Sequence, residues 1–80
     1  MNIRVQISVY PLRQEHLSPT VNAVEAELNA HGLRPEVGGM STQVVGETEV
    51  VFAALRDAFM RVANSGQVVM TVTVSNACPV

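Results

Sequence analysis

The 80-residue sequence predicts an α+β fold of the ferredoxin-like type, with the element order βαββαβ. Residues 3–10 and 67–75 alternate apolar and other side chains with the period of two that is typical of strands. Two longer stretches, which begin near Ser18 and Gly46, repeat their apolar positions with a helical period. Right-handed crossovers then place both helices on one face of a four-stranded antiparallel sheet and leave the opposite face open.

The first strand and the first helix have distinct boundaries in the sequence. Pro11 cannot donate a hydrogen bond to a neighbouring strand, so we expect it to end the strand. In "LSPT" we expect Ser18 to cap the helix and Pro19 to be its first residue. Gly32 suits the left-handed position after the helix, where Leu33 could contact Leu28. The predicted buried stripe is Leu17, Val21, Val24 and Leu28.

The middle of the chain predicts a hairpin. Residues 33–38 form a short second strand that contains a proline and therefore belongs at a sheet edge. Gly38 and Gly39 favour a turn, after which the third strand runs from Ser41 to Val45 and is closed by Gly46.

The second helix and the last strand complete the prediction. Glu47 and Glu49 place negative charge at the helix start, in agreement with the helix dipole, and Gly66 ends the helix. Its predicted buried stripe is Phe52, Leu55, Phe59 and Val62. After the last strand is added, the residues expected on the open face of the sheet are Gln6, Ser8, Val69, Thr71 and Thr73.

Composition limits the classes of function. Hydrophobic residues make up 48% of the chain and charged residues only 15%, so we expect another copy of the chain to cover part of the surface. The net charge of −2 and five scattered arginines without a lysine disfavour nucleic acid as a partner. Residues 1–80 should form one domain. The sequence has no leader pattern and no apolar run of about 20 residues, so we expect a cytoplasmic protein that does not enter the membrane.

Residues suited to catalysis or metal binding are few. His16 and His31 have no cysteine or carboxylate at a recognised ligand spacing, so both are interpreted as surface residues and no metal site is predicted. Cys78 has no companion histidine placed beside it, so we expect no enzymatic activity.

Polar side chains instead gather where the predicted strands end. Ser8 and Tyr10 close the first strand, and Ser41 with Thr42 opens the third. Because these strands are antiparallel neighbours in the predicted sheet, the four side chains should lie near one another. Asn76 and Cys78 belong at the opposite end of the sheet, near Gly46 and Glu47. An aromatic ring with several neutral hydroxyl groups could bind a small heterocycle, or the hydroxyls could serve only to cap strands and turns.

Four segments, "ISVYPL", "GGMSTQVVGE", "VFAALRDAF" and "TVTVSNACP", resemble the thiamine-binding protein family, also called YkoF-like. The resemblance covers nearly the whole chain in order. It implies a ferredoxin-like domain that forms homo-oligomers, dimers or tetramers, through its sheets. It further implies non-catalytic binding of thiamine or its hydroxymethyl-pyrimidine part, with no other cofactor, in salvage, delivery or sensing. The positions that match the family's motifs are Ser8, Tyr10, Ser41, Thr42, Asn76 and Cys78, which are the predicted ligand-binding residues.

Two other functions stay open from the sequence. The chain could be an oligomeric structural or regulatory module whose open-face residues only build the assembly. It could also be an enzyme that uses Cys78. Ligand-dependent melting distinguishes the assembly module from a thiamine-binding protein. Alkylation of the Cys78 thiol tests the enzyme.

Overall fold

A computed structural model describes residues 1–13 and 16–77 of the chain. Two helices and four strands follow one another along it. They are β1 (Asn2–Pro11), α1 (Ser18–Ala30), β2 (Glu36–Val37), β3 (Thr42–Glu47), α2 (Thr48–Ala63) and β4 (Val68–Ser75). The strands form a single sheet in the order β2-β3-β1-β4, and every neighbouring pair is antiparallel. The predicted α+β ferredoxin-like fold is therefore confirmed.

The hydrophobic core lies between the two helices and one face of the sheet. Strand β1 is central and contributes Ile3, Val5 and Ile7, all of which are buried. Their alternation with more exposed residues is the pattern expected of a strand with one buried face. The helices, strand β3 and the loop after α1 supply the rest of the core, which is Val24, Leu28, Leu33, Val44, Val51, Ala54, Leu55, Ala58 and Val62.

The opposite face of the sheet is open, as the sequence predicts. Strand register places Gln6 between Gln43 and Thr73, and Ser8 beside Thr71. No helix or loop of the described residues forms a second layer over these side chains, since both helices pack on the core face.

The end of α1 follows its prediction and the start does not. Leu33 N–H donates to Leu28 C=O at 3.1 Å, and Gly32 N–H donates to Asn29 C=O at 3.0 Å, the two bonds of a Schellman motif. Gly32 has a φ of 80°, which glycine adopts without strain. At the start, Ser18 is already helical and makes no capping hydrogen bond, so its predicted role as N-cap is wrong.

The hairpin is shorter and later than predicted. Strand β2 covers only Glu36–Val37, although it does lie at the sheet edge. Gly46 does not close β3 but lies within it, opposite Ile3. A side chain at this position would meet Leu33 Cδ2 at 2.7 Å and Val51 Cγ2 at 3.1 Å, so close packing against the core explains the glycine.

The buried stripe of α2 differs from the prediction. Leu55 and Val62 are buried, but Phe52 and Phe59 remain 49% and 40% exposed. The buried positions, spaced at the helical period, are Val51, Ala54, Leu55, Ala58 and Val62. The helix is therefore turned so that two alanines face the core, and the larger phenylalanines fall at its margin. Among the described residues, no helix is long and apolar enough to cross a membrane.

Candidate ligand-binding site at the end of strand β1

Strand β1 extends past its neighbour β3 and leaves a gap beside its last residues. The pairing of β1 with β3 stops at Ile7 and Thr42, whereas pairing with β4 continues to Pro11. The reason is that the β2–β3 hairpin turns at this point, where Gly38 N–H donates to Ser41 C=O at 2.8 Å. The unpaired edge of β1 therefore faces the hairpin loop.

A cavity of about 270 Å³ occupies this gap. The end of β1 forms one wall, the hairpin loop a second, and the beginning of α1 a third. Its apolar lining residues are Ile7, Val9, Leu17, Val21, Val37 and Met40, and the others are Ser8, Gly38, Gly39, Ser41 and Thr42. Three of the six predicted ligand-binding residues thus line one cavity.

The two serine hydroxyls hold the loop against the strand. Ser8 Oγ donates to the Met40 carbonyl oxygen over a long 3.4 Å. Ser41 Oγ accepts a hydrogen bond from Gln6 Nε2 at 3.1 Å, which leaves its own hydroxyl hydrogen free to donate. A weak bond and an unused donor can both be redirected to a ligand at little cost.

The electrostatic character of the cavity is neutral. Its described lining contains hydroxyl and backbone groups together with aliphatic side chains, but no charged side chain. Met40 is almost fully exposed at the loop tip and stands at the mouth. Such a lining suits an uncharged, partly apolar ring with a few hydrogen-bonding atoms.

Tyr10 lies close to the cavity in sequence but is not part of its lining. It projects from the open face of the sheet, opposite Val69 on β4, and is 46% exposed. The alternation of the strand separates it from Val9, which lines the cavity from the core side. Its ring is thus placed on the open face, at the same end of the sheet.

The remaining predicted residues belong to the far end of the sheet. Asn76 Nδ2 donates to Met1 Sδ at 3.6 Å, and Glu47 Oε1 lies 2.6 Å from the Met1 amine. This agrees with the expected placement of Asn76 near Glu47. Cys78 lies outside the described residues. The structure therefore places Asn76 away from the cavity, and its predicted role in ligand binding stays a prediction.

One polar cluster was missed in the sequence. His31 Nε2 lies 2.8 Å from Asp57 Oδ2, and Glu27 is close to both. The signal that could have revealed it is the four-residue spacing of Glu27 and His31, which puts both on one face of α1. Asp57 comes from α2 and could not be assigned to the cluster without knowing how the helices pack.

Comparison with known proteins gives a family assignment. A family model described as thiamine-binding protein matches residues 5–76, nearly the whole chain. No curated protein matches the sequence. The matched segment includes the cavity and both helices.

Solved structures with the same fold come from several bacteria. One is a protein from Streptococcus pneumoniae, with a TM-score of 0.85 and 21% identity, covering 94% of this chain and 86% of that one. A candidate thiamine biosynthesis/salvage protein from Thermotoga maritima has a TM-score of 0.82 and 19% identity, with coverages of 94% and 83%. A domain of unknown function from Bacillus cereus has a TM-score of 0.79 and 22% identity, with coverages of 94% and 75%. At these identities the likeness establishes the fold.

Proposed function

Because this chain belongs to the thiamine-binding protein family, its role is related to thiamine, and we propose that it binds the hydroxymethyl-pyrimidine ring without transforming it. The ligand is thiamine or its free pyrimidine part, and the binding site is the cavity at the end of β1. The observation that carries this proposal is the convergence of Ser8, Ser41 and Thr42 on one neutral cavity.

Hydrogen-bonding capacity supports the pyrimidine as ligand. An aminopyrimidine has an amino group that donates and ring nitrogens that accept. Ser8 and Ser41 can each donate and accept, and the loop adds backbone groups such as the Met40 carbonyl. In a cavity that excludes water, matched pairs of this kind select the ring over an isosteric benzene.

The size of the cavity and the positive charge of the thiazolium ring support binding of one ring in the cavity rather than of the whole of thiamine. Small-molecule pockets usually measure about 300–1,000 Å³, and this cavity lies just below that range at about 270 Å³. In the proposed complex the thiazolium ring of thiamine remains outside, toward the open face. There its positive charge can approach the ring of Tyr10, as a cation–π contact requires.

A binding role, rather than catalysis, fits the chemistry of the lining. The described lining has no histidine, carboxylate or thiol that could transfer a proton or attack a substrate. Delivery, salvage and sensing of the vitamin are all compatible with binding alone. An enzyme that uses Cys78 would lose its activity on alkylation of the thiol.

The first test measures melting of the full chain with hydroxymethyl-pyrimidine, thiamine and thiamine phosphates in parallel. A ligand at 100 times its Kd adds about 2.7 kcal/mol of stability, which raises Tm by several degrees. We expect a shift with the pyrimidine and with thiamine. The alternative, a module whose open-face residues only build an assembly, predicts no shift with any of these compounds.

Serine variants then locate the site. We expect Ser41→Ala and Ser8→Ala each to weaken pyrimidine binding by about five-fold, the equivalent of one hydrogen bond of about 1 kcal/mol. Calorimetric titration measures the affinity. Ser75→Ala is the matched control, because Ser75 pairs with Arg4 at the far end of β1. Equal affinities for all three variants would show that the ligand binds elsewhere.

A further inference from the structure

The cluster on the helix layer brings three potential metal ligands together. Glu27 lies in the last turn of α1, His31 follows the helix as its C-cap residue, and Asp57 faces them from α2. One ligand atom from each residue lies within 4.8 Å of the other two, and all three residues are partly buried. The cluster lies between the helices and shares no residue with the cavity at the end of β1.

From this arrangement we propose that Glu27, His31 and Asp57 bind a divalent transition-metal ion of the zinc type across the two helices. One imidazole and two carboxylates form a ligand set that Zn²⁺ accepts, with water at the fourth position. Imidazole favours zinc, copper and nickel, whereas magnesium and calcium prefer oxygen ligands alone. The proposal is independent of thiamine binding and departs from the sequence-based expectation of no metal site.

The distances require only small side-chain movements. A tetrahedral zinc ion with ligands at about 2.0–2.2 Å holds its ligand atoms about 3.3 Å from one another. His31 Nε2 and Asp57 Oδ2 are now 2.8 Å apart, so the ion replaces their hydrogen bond and separates them slightly. Glu27, with three rotatable bonds between its backbone and its carboxylate, has to close the remaining distance.

Each of the two carboxylates binds one arginine through a single oxygen, so its second oxygen is not bound by that arginine. Arg56 Nε binds Asp57 Oδ1 at 3.1 Å, so Oδ2 remains on the side of His31. Arg61 Nη1 binds Glu27 Oε2 at 3.1 Å, so Oε1 remains for an ion. Both arginine side chains are more than half exposed, and exposed ion pairs contribute only about 0–1 kcal/mol to stability. A bound metal ion can therefore weaken these ion pairs at little cost.

The same arginines set opposite conditions for metal binding. The hydrogen bond from Arg56 lowers the pKa of the Asp57 carboxyl, and this keeps the group ionised and able to bind a cation. The positive charge of each arginine repels the ion, so metal affinity should rise when one of them is removed. A cluster that served only to join the helices by ion pairs would not show this rise.

The experiment titrates the full-length chain with Zn²⁺ by calorimetry and with Co²⁺ by its visible absorption. We expect one ion per chain and no binding of Mg²⁺. His31→Gln keeps a side-chain donor for Asp57 but removes the imidazole, and should weaken binding at least about 100-fold, because even outer-shell changes cost 10- to 100-fold. His16→Gln is the matched control, and Cys78→Ser excludes a thiol ligand, so both should bind as the wild type does.

A second variant tests the effect of arginine charge without replacing any of the three proposed metal ligands. Arg61→Gln should tighten zinc binding by about five-fold or more, because a repelling charge is lost. Unchanged or weaker binding in this variant would place the ion elsewhere. Absence of zinc binding by the wild type, or equal binding by His31→Gln, would overturn the proposal, while pyrimidine binding by the same protein would remain unaffected.

Discussion

Gly46 illustrates how a single missing side chain allows close packing in this fold. The residue lies within β3, opposite Ile3, and a Cβ at this position would point at Leu33 and Val51. Both of these neighbours are buried, so they have little room to move away. Sequence reasoning places a turn at this glycine, because glycine is typical of turns and the contact with Leu33 depends on tertiary packing.

We predict that Gly46→Ala destabilises the protein by about 1–3 kcal/mol, the usual range for overpacking a core. Urea unfolding at constant m measures this change in the free energy of unfolding. Gly39→Ala is the matched control, since a Cβ there meets nothing within 4 Å and should change stability by less than about 0.5 kcal/mol. Equal stabilities of the two variants would contradict the packing explanation.

At the scale of elements, local signals predict the end of α1 and the buried face of β1, but they do not predict which face of α2 is buried. The glycine that ends α1 acts through bonds within five residues of itself, so the sequence contains all of its determinants. The alternation in β1 likewise needs no knowledge of its neighbours. The rotation of α2 is different, because it depends on how closely the alanines let the helix approach the sheet and α1.

We predict unequal effects for two large apolar residues of α2. Leu55→Ala should cost about 2–5 kcal/mol, because it empties a buried position in the core. Phe52→Ala should cost about 1 kcal/mol or less, although phenylalanine is larger, because half of its side chain already faces solvent. Denaturant unfolding of both variants tests the rotation of α2. A larger loss of unfolding free energy for Phe52→Ala than for Leu55→Ala would support the buried stripe expected from the sequence instead.

At the scale of the whole molecule, topology explains why part of the candidate site was predictable. Antiparallel pairing of β1 and β3 is enough to bring Ser8 toward Ser41 and Thr42. The third wall of the cavity, formed by Leu17 and Val21, could not be predicted without knowing the position of α1. Both residues were expected in the buried stripe, but Leu17 is about half exposed and Val21 is only partly buried. The metal cluster depends even more on packing, since its members come from two helices.

The open face of the sheet bears on the state of assembly. It presents a broad surface of hydroxyl and amide side chains on which Val45 is also exposed. A chain of 80 residues has a small core, so covering this face with a second copy would stabilise both copies. We therefore expect a homo-oligomer that assembles through the open face, a dimer at least.

A pair of lysine variants tests this assembly. Thr73 is exposed on the open face opposite Gln6, so Thr73→Lys would bring like charges together across a twofold interface, at a cost of several kcal/mol. We expect this variant to sediment as a smaller species than the wild type. Asn22→Lys adds the same charge at an exposed position of α1, on the helix layer, and should leave the sedimentation coefficient unchanged. If the wild type sediments as a monomer, or if both variants dissociate alike, the open face is not the subunit interface, and the cavity at the end of β1 must then bind its ligand within one chain.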